Sequence, residues 1–378
     1  MIPLCVPDLS GNEARYLAEC VETTFVSSVG PFVNRFETMI AYATGAGQAV
    51  ATSAGTTALH LALVTLGVEP GDLVIVPSFT FIASANAIAH AGAVPWLADI
   101  AVDSWTLDPL VLERMLDEET VVRRGQRLHC RSGRRVAAVM PVHTLGSPAD
   151  LDAIVPIARA AGLPVVADGA ACLGATLRGR PAGRMGADLT CLSFNGNKTV
   201  TTGGGGALVG DDAALCALAR HLGTTARVGR DYNHDRIGFN YRMTNLAAAV
   251  GCAQLERLDA FLTAKRRIRA GYEVGLANRA DYGRFPAPDW AEGACWLSGL
   301  VARDPAHAAR LRATLAEGGV EARSFWKPVH LQAPYADAPR TPQPVADDLW
   351  ERVVILPSSV ALTEAEQGQV IDLLRAQR

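Results

Sequence analysis

Between about residues 48 and 255 the chain repeats one pattern, a short apolar run followed by a helical stretch. The runs Ala49–Thr52, Leu73–Pro77, Val94–Ala98, Val136–Val142, Val165–Ala167, Leu189–Ser193 and Gly206–Val209 read as strands. Helical patterns at Thr56–Leu66, Ile82–Ala91, Leu151–Ala161 and Ala213–Leu222 fall between several of them. This alternation predicts an α/β fold built on a mostly parallel, seven-stranded sheet with helices on both faces. From about Leu255 the rhythm changes. A charged helical stretch near Leu255–Ala277 leads into an irregular segment rich in Pro and Trp, then mixed short elements. We therefore expect a large domain over 1–255, including an N-terminal arm, and a smaller α+β domain over 256–378.

Composition excludes several classes. With 378 residues and 49% hydrophobic content the chain can bury a large core. A net charge of −3 gives no sign of a nucleic-acid or acidic-membrane partner. The segment Thr120–Arg135 holds six arginines but reads as a solvated hairpin. Eight scattered cysteines without a C-x-x-C pair suggest reduced, buried thiols and a cytoplasmic location. Met1-Ile2-Pro3-Leu4 lacks the charged and apolar regions of a signal peptide. The alanine-rich stretch 82–102 is interrupted by Asn86, His90, Pro95 and Asp99, which argues against a membrane span.

The chemistry concentrates at strand ends, where open α/β sheets place their ligands. Lys198, in Ser193-Phe194-Asn195-Gly196-Asn197-Lys198, lies just past a predicted strand. An amine of lowered pKa there suits a Schiff base with an aldehyde cofactor. Ser53-Ala54-Gly55-Thr56-Thr57 joins a strand to an apolar helix, so its amides and the helix dipole suit a phosphate, with Ser193 able to add a hydroxyl. By itself the segment reads more readily as a plain turn capped by Ser53. Asp168 ends an apolar run, and a carboxylate there needs a cationic partner such as a protonated pyridine nitrogen. Phe81, past another strand, could stack on a flat ring, though such an aromatic is often core.

Anion cradle, aromatic, carboxylate and lysine occur in that order, each after a separate strand. The set matches fold-type I pyridoxal-phosphate enzymes, and the chain resembles the DegT/DnrJ/EryC1/StrS sugar aminotransferases over nearly its whole length. The resemblance covers Gly30-Pro31-Phe32-Val33, Ser53–Thr56, Pro77–Phe81, Pro141-Val142-His143, Asp168-Gly169-Ala170 and Ser193–Lys198. It continues through Gly238-Phe239-Asn240-Tyr241-Arg242-Met243, Trp326–His330 and Leu356–Ser359.

The resemblance implies that Lys198 carries pyridoxal 5'-phosphate as an internal aldimine and shuttles the proton, with pyridoxamine 5'-phosphate formed in the half-reaction. It implies that Asp168 pairs with the ring nitrogen and Phe81 stacks on the ring. Gly55, Thr56 and Ser193 would hold the phosphate, helped by Asn240 lent from the neighbouring subunit of an obligatory homodimer with shared active sites. The implied donor is L-glutamate and the acceptor a nucleotide-linked 4-keto-6-deoxyhexose. Val26–Gly30, Asn195–Lys198 and the basic hairpin most resemble the branch feeding bacillosamine- and legionaminic-acid-type sugars, which suggests a UDP-linked 2-acetamido sugar. Ser27, Ser28, Trp326 and His330 are candidate sugar contacts; Trp326 also reads as core and His330 as a structural histidine.

Ala171 stands where many members have Gln, Glu or His, Ala167 where they have Glu, and Gly203–Gly206 where Gly-Glu-Gly-Gly is common. A hydrogen bond near the cofactor's phenolic oxygen is then missing or supplied elsewhere. Three rivals remain: a dehydratase, in which histidine usually replaces the lysine; a transaminase of a non-nucleotide keto-ulosonic acid; and a non-catalytic scaffold. A nicotinamide Rossmann enzyme is disfavoured because no G-x-G-x-x-G opens a helix after the first strand.

Overall fold

A computed structural model describes residues 1–377. Its main sheet has seven strands: β1 (Gln48–Thr52), β2 (Leu73–Pro77), β3 (Val94–Ala98), β4 (Val136–Val139), β5 (Val166–Asp168), β6 (Leu189–Ser193) and β7 (Gly206–Gly210). Ladders give the runs β3-β2-β4 and β5-β6-β7-β1. Parallel bridges Val139–Val165 and Val142–Asp168 join them into one surface of order 3-2-4-5-6-7-1. Every neighbour pair is parallel except those of β7, which runs antiparallel to both β6 and β1. The reason is the connection. Parallel neighbours need a crossover, usually helical, whereas β6 reaches β7 through loop 194–205 alone.

Helices close both faces, as the apolar runs require. All five residues of β2 are buried, and two apolar clusters lie on opposite sides of the sheet. One contains Phe36, Ile75, Trp96 and Phe194; the other contains Leu59, Leu61, Val74 and Val76. Asp212 accepts from the amides of Ala214 and Leu215 to start helix Ala213–Gly223.

The charged helix expected near Leu255–Ala277 is present as Leu258–Gly275, and a separate helix, Asn245–Leu255, precedes it. Side chains from the N-terminal region fasten the break between them. Glu256 accepts from Tyr16, Asn12 and Arg35, and Arg257 donates to both oxygens of Asp8. Beyond it, Tyr282–Gly283, Ser298–Ala302, Val353–Leu356 and Arg323–Ser324 form a separate antiparallel sheet, packed against helices Leu258–Gly275, Pro305–Glu317 and Glu364–Ala376. The first residues of the chain lie on this second layer: Ile2 exchanges backbone hydrogen bonds with Gly319 and Glu321 and packs in its core.

The basic segment is an antiparallel hairpin, Thr120–Arg123 with Gln126–His129. Arg135 beside it pairs with Asp72 at 2.5 Å. All eight cysteines are free thiols, five of them buried. No helix among the described residues is long and apolar enough to cross a membrane.

Candidate active site

The carboxyl ends of β1, β2, β4, β5 and β6 converge on one cavity of about 320 Å³. Gly55, Thr56, Phe81, Asp168, Ser193, Lys198 and Trp326 all line it, so seven of the expected site residues meet in one place.

Its floor carries the charge. Asp168 is the last residue of β5 and only 5% exposed. Its Oδ2 accepts from Ser84 Oγ at 2.6 Å and its Oδ1 from the Ala170 amide at 3.1 Å. Burial raises its pKa; the two hydrogen bonds and the nearby Lys198 amine pull it part of the way back. A buried carboxylate of this kind gains most from a cation placed in the cavity beside it. Lys198 follows β6 in loop 194–205, its amide bonded to the Asn195 carbonyl. Burial lowers its pKa to about 8, against the opposing pull of Asp168. Its Nζ stands 3.5 Å from the centroid of the Trp296 ring. Of the chain's three lysines, Lys265 is buried and donates to the carbonyls of Trp296 and Ser358, and Lys327 is exposed.

At the other end is the anion cradle. Helix Gly55–Thr65 has Ala54, not Ser53, at its N-cap, and no side-chain cap bond. Its first amides face the cavity with the positive end of the helix dipole behind them. Two glycines permit the close approach. A Cβ on Gly55 would lie 2.7 Å from Ser193 Cβ, and one on Gly206 would lie 2.4 Å from the Ala54 carbonyl oxygen. The last glycine of the run at 203–206 thus seats the helix against the sheet.

Aromatic rings make the walls. Phe81 is 52% exposed, with its centroid 5.7 Å from that of Trp326, which lies 6.0 Å from Trp296. Both tryptophans come from the C-terminal third of the chain, so the cavity is closed by the second layer.

Four expected site residues lie elsewhere. His330 is a correction. It is buried, with Nδ1 2.7 Å from Ser78 Oγ and Nε2 2.9 Å from an Asp347 oxygen. Both ring nitrogens are occupied by protein, which makes it a structural clamp on the segment before Phe81. Ser27 and Ser28 sit in the turn ahead of helix Pro31–Thr44, where the Ser27 carbonyl accepts from the Asn245 amide at 2.6 Å. Asn240 is exposed beside Thr224, outside the cavity of its own chain.

Three residues escaped the sequence reading. Ser84 carried no motif. Trp296 carried none either, and it lies far from Lys198 in the chain. His143 was inside a quoted motif but received no role. It lines the cavity, and its Nδ1 accepts from the Ala149 amide at 3.0 Å, which places the ring hydrogen on Nε2. Nε2 has no partner among the described residues, and burial lowers the pKa to about 4.

Sheet order, buried acid after β5, lysine after β6 and cradle after β1 define a pyridoxal-phosphate-dependent transferase of fold type I. Its residues fit that cofactor on three counts: an uncapped helix N-terminus for a phosphate, an unneutralised carboxylate for a pyridinium, and an amine of lowered pKa for an aldehyde. The chain belongs to the DegT/DnrJ/EryC1/StrS aminotransferase family, which matches residues 7–375. EpsN of Bacillus subtilis (strain 168), named as a pyridoxal phosphate-dependent aminotransferase, is 39% identical over 99% of this chain and 95% of its own length. A GDP-perosamine synthase of Caulobacter vibrioides is 38% identical over 99% and 97%. Among solved structures, DesV from S. venezuelae shares the fold with a TM-score of 0.87 at 30% identity, covering 98% of each chain. The protein is a pyridoxal-phosphate-dependent sugar aminotransferase.

Proposed function

We propose that the enzyme moves an amino group from L-glutamate to C4 of a nucleotide-linked 4-keto-6-deoxyhexose, with Lys198 carrying the proton. The observation that supports this most directly is the pairing of Lys198, an amine of pKa about 8, with the buried Asp168 across one cavity. Pyridoxal phosphate, when bound, supplies an aldehyde that takes up the amino group and a conjugated ring that spreads negative charge from the carbon losing its proton.

The side chains divide the remaining work. Asp168 pairs with the ring nitrogen, and Gly55, Thr56 and Ser193 hold the phosphate. Phe81 covers one ring face. Lys198 Nζ takes a proton from the donor's α carbon and later returns one to the sugar carbon, a task its lowered pKa suits because about a tenth is free base at pH 7, far more than for an ordinary lysine. Trp326 and Trp296 give a sugar ring flat apolar walls and exclude water.

A second copy of the chain is part of this reading. Asn240 lies near a stretch that exposes Tyr232 at 87% and Ile237 at 89%, and Phe25, Val26 and Val29 are also exposed. Apolar side chains of that size suit a protein interface. In the dimer, Asn240 of one copy joins the phosphate site of the other, and Ser27 and Ser28 reach the sugar site. The division of each copy at 255/256 belongs to the same proposal, with residues 2–5 counted with the second layer.

Two nucleotides compete. The Caulobacter relative is named for a GDP-linked sugar, whereas the segments Val26–Gly30 and Asn195–Lys198 favoured a UDP-linked 2-acetamido sugar. Incubating the holoenzyme and glutamate with GDP-, UDP- and dTDP-linked 4-keto-6-deoxyhexoses decides between them. Amination of any one supports the reading. Turnover only of a free keto-ulosonic acid would replace it.

A further inference from the structure

Asp168 does not stand alone at the floor of the cavity. Its Oδ2 is 2.6 Å from Ser84 Oγ, and Ser84 Oγ is 2.9 Å from Thr80 Oγ1. An ionised carboxylate can only accept, so Ser84 must donate to it; its oxygen is then free to accept from Thr80. The order of protons along the chain is thereby fixed: Thr80 to Ser84 to Asp168. Ser84 is wholly buried and Thr80 is 1% exposed. Ser84 sits in the first turn of helix Ile82–His90, whose other inward residues, Ala85, Ala87 and Ile88, are apolar. A hydroxyl on such a face is costly unless it is paired, and its partner here is the acid. Thr80 and Ser84 also flank Phe81, so one short segment carries both the ring-covering aromatic and the donors behind the acid.

We infer that Ser84, backed by Thr80, is a positioning residue that keeps Asp168 ionised and turned toward the cofactor's ring nitrogen. It touches neither cofactor nor substrate. Deleting the Ser84 hydroxyl withdraws a charge-assisted donor from a buried carboxylate, which favours the neutral acid and weakens its hold on a pyridinium. The inference rests on the assignment of Asp168 to the ring nitrogen.

The test compares two cofactors in the purified holoenzyme: pyridoxal phosphate and its 1-deaza analogue, which has carbon in place of the ring nitrogen. With pyridoxal phosphate, Ser84→Ala is expected to slow the glutamate half-reaction about 10- to 100-fold, from about 1.5–3 kcal/mol for a hydrogen bond to a charged group. Thr80→Val, which keeps the side-chain shape and removes only the hydroxyl, is expected to slow it about threefold. With the deaza cofactor both penalties should shrink to within about twofold, since no ring nitrogen remains to be served. Equal penalties with both cofactors would mean a purely structural role and overturn the inference. Asp168→Asn separates this from failure of the parent assignment: if that variant runs the glutamate half-reaction with pyridoxal phosphate at the native rate, the Asp168 assignment falls first.

Discussion

The Lys198 ammonium lies 3.5 Å above the centroid of the Trp296 ring. The same indole donates through Nε1 to the Asn197 carbonyl at 2.7 Å, so Trp296 holds both the lysine and the backbone just before it. A cation over an indole face is favoured by about 0.5–2 kcal/mol. That attraction opposes the burial that lowers the lysine pKa, and the balance bears on several measurable properties.

Borohydride reduction of the holoenzyme should fix the cofactor to one lysine. Peptide mapping is simple because the chain has only three, and Lys265 is already bonded to two carbonyls while Lys327 is exposed. The label is expected on Lys198 alone. Lys198→Ala should reduce sugar amination by about 10³-fold, the scale of a lost acid–base group. Label on another lysine would refute the assignment.

The rate at which apoenzyme takes up pyridoxal phosphate should follow the free-base fraction of Lys198. With a pKa of about 8, the rate rises with pH up to that value and levels off above it, falling about tenfold per unit below. An ordinary lysine would keep the rate rising past pH 10. Trp296→Phe removes the larger ring and the Nε1 bond, so less stabilisation of the ammonium remains. The midpoint should move down by up to about 1 unit. Stopped-flow absorbance over pH 6–10 reads both.

Gly55→Ala places a methyl 2.7 Å from Ser193 Cβ. Overpacking of this kind costs about 1–3 kcal/mol, and here it forces the helix N-terminus off the sheet. Affinity for pyridoxal phosphate should fall at least tenfold, with a lower Tm for the apoenzyme. Equilibrium dialysis and calorimetry check the two effects separately.

His330→Ala removes the bridge between Ser78 and Asp347. The loss leaves the buried Ser78 hydroxyl without its histidine partner and should cost about 1–3 kcal/mol of stability. Because His330 lies outside the cavity, KM for the sugar should change by less than about threefold. A large rise in KM with unchanged Tm would restore its reading as a sugar contact.

The proposed sharing of active sites predicts complementation. Lys198→Ala and Asn240→Ala homodimers should each be impaired, the second through weaker cofactor binding. Mixed and re-equilibrated, half of the heterodimers' sites carry both defects and half carry neither. Activity should therefore rise above the mean of the two parents. No rise on mixing, with heterodimers shown by mass spectrometry, would place Asn240 outside its neighbour's site.

Much of the site was legible because its chemistry demands particular residues at particular strand ends. A Schiff-base lysine, an acid for a pyridinium and a small-residue turn for a phosphate have few substitutes, and each followed an apolar run readable as a strand. The strands were legible for a related reason: β2, buried along its whole length, leaves no polar position to blur the run. Trp296 and Ser84 have no such signature. A tryptophan and a serine occur for many reasons, and only contact with Lys198 and Asp168 gives these two a role.

His330 shows the converse. Its motif suggested a ligand contact, yet Ser78 and Asp347 occupy both ring nitrogens. The charged stretch after Leu255 read as one helix and is one, Leu258–Gly275, but local periodicity cannot register Asp8, Tyr16 and Arg35 closing on Glu256 and Arg257 just ahead of it.

The amino-acid order alone thus determined the strand-and-helix rhythm, the family, and the acid and lysine that meet in the cavity. These follow from local burial patterns and from chemistry with few alternatives. The tertiary structure alone decided which rings wall the cavity, which hydroxyls stand behind the acid, and which histidine is structural. Those outcomes depend on groups distant in the chain meeting within a few ångströms, and no local pattern encodes such a meeting.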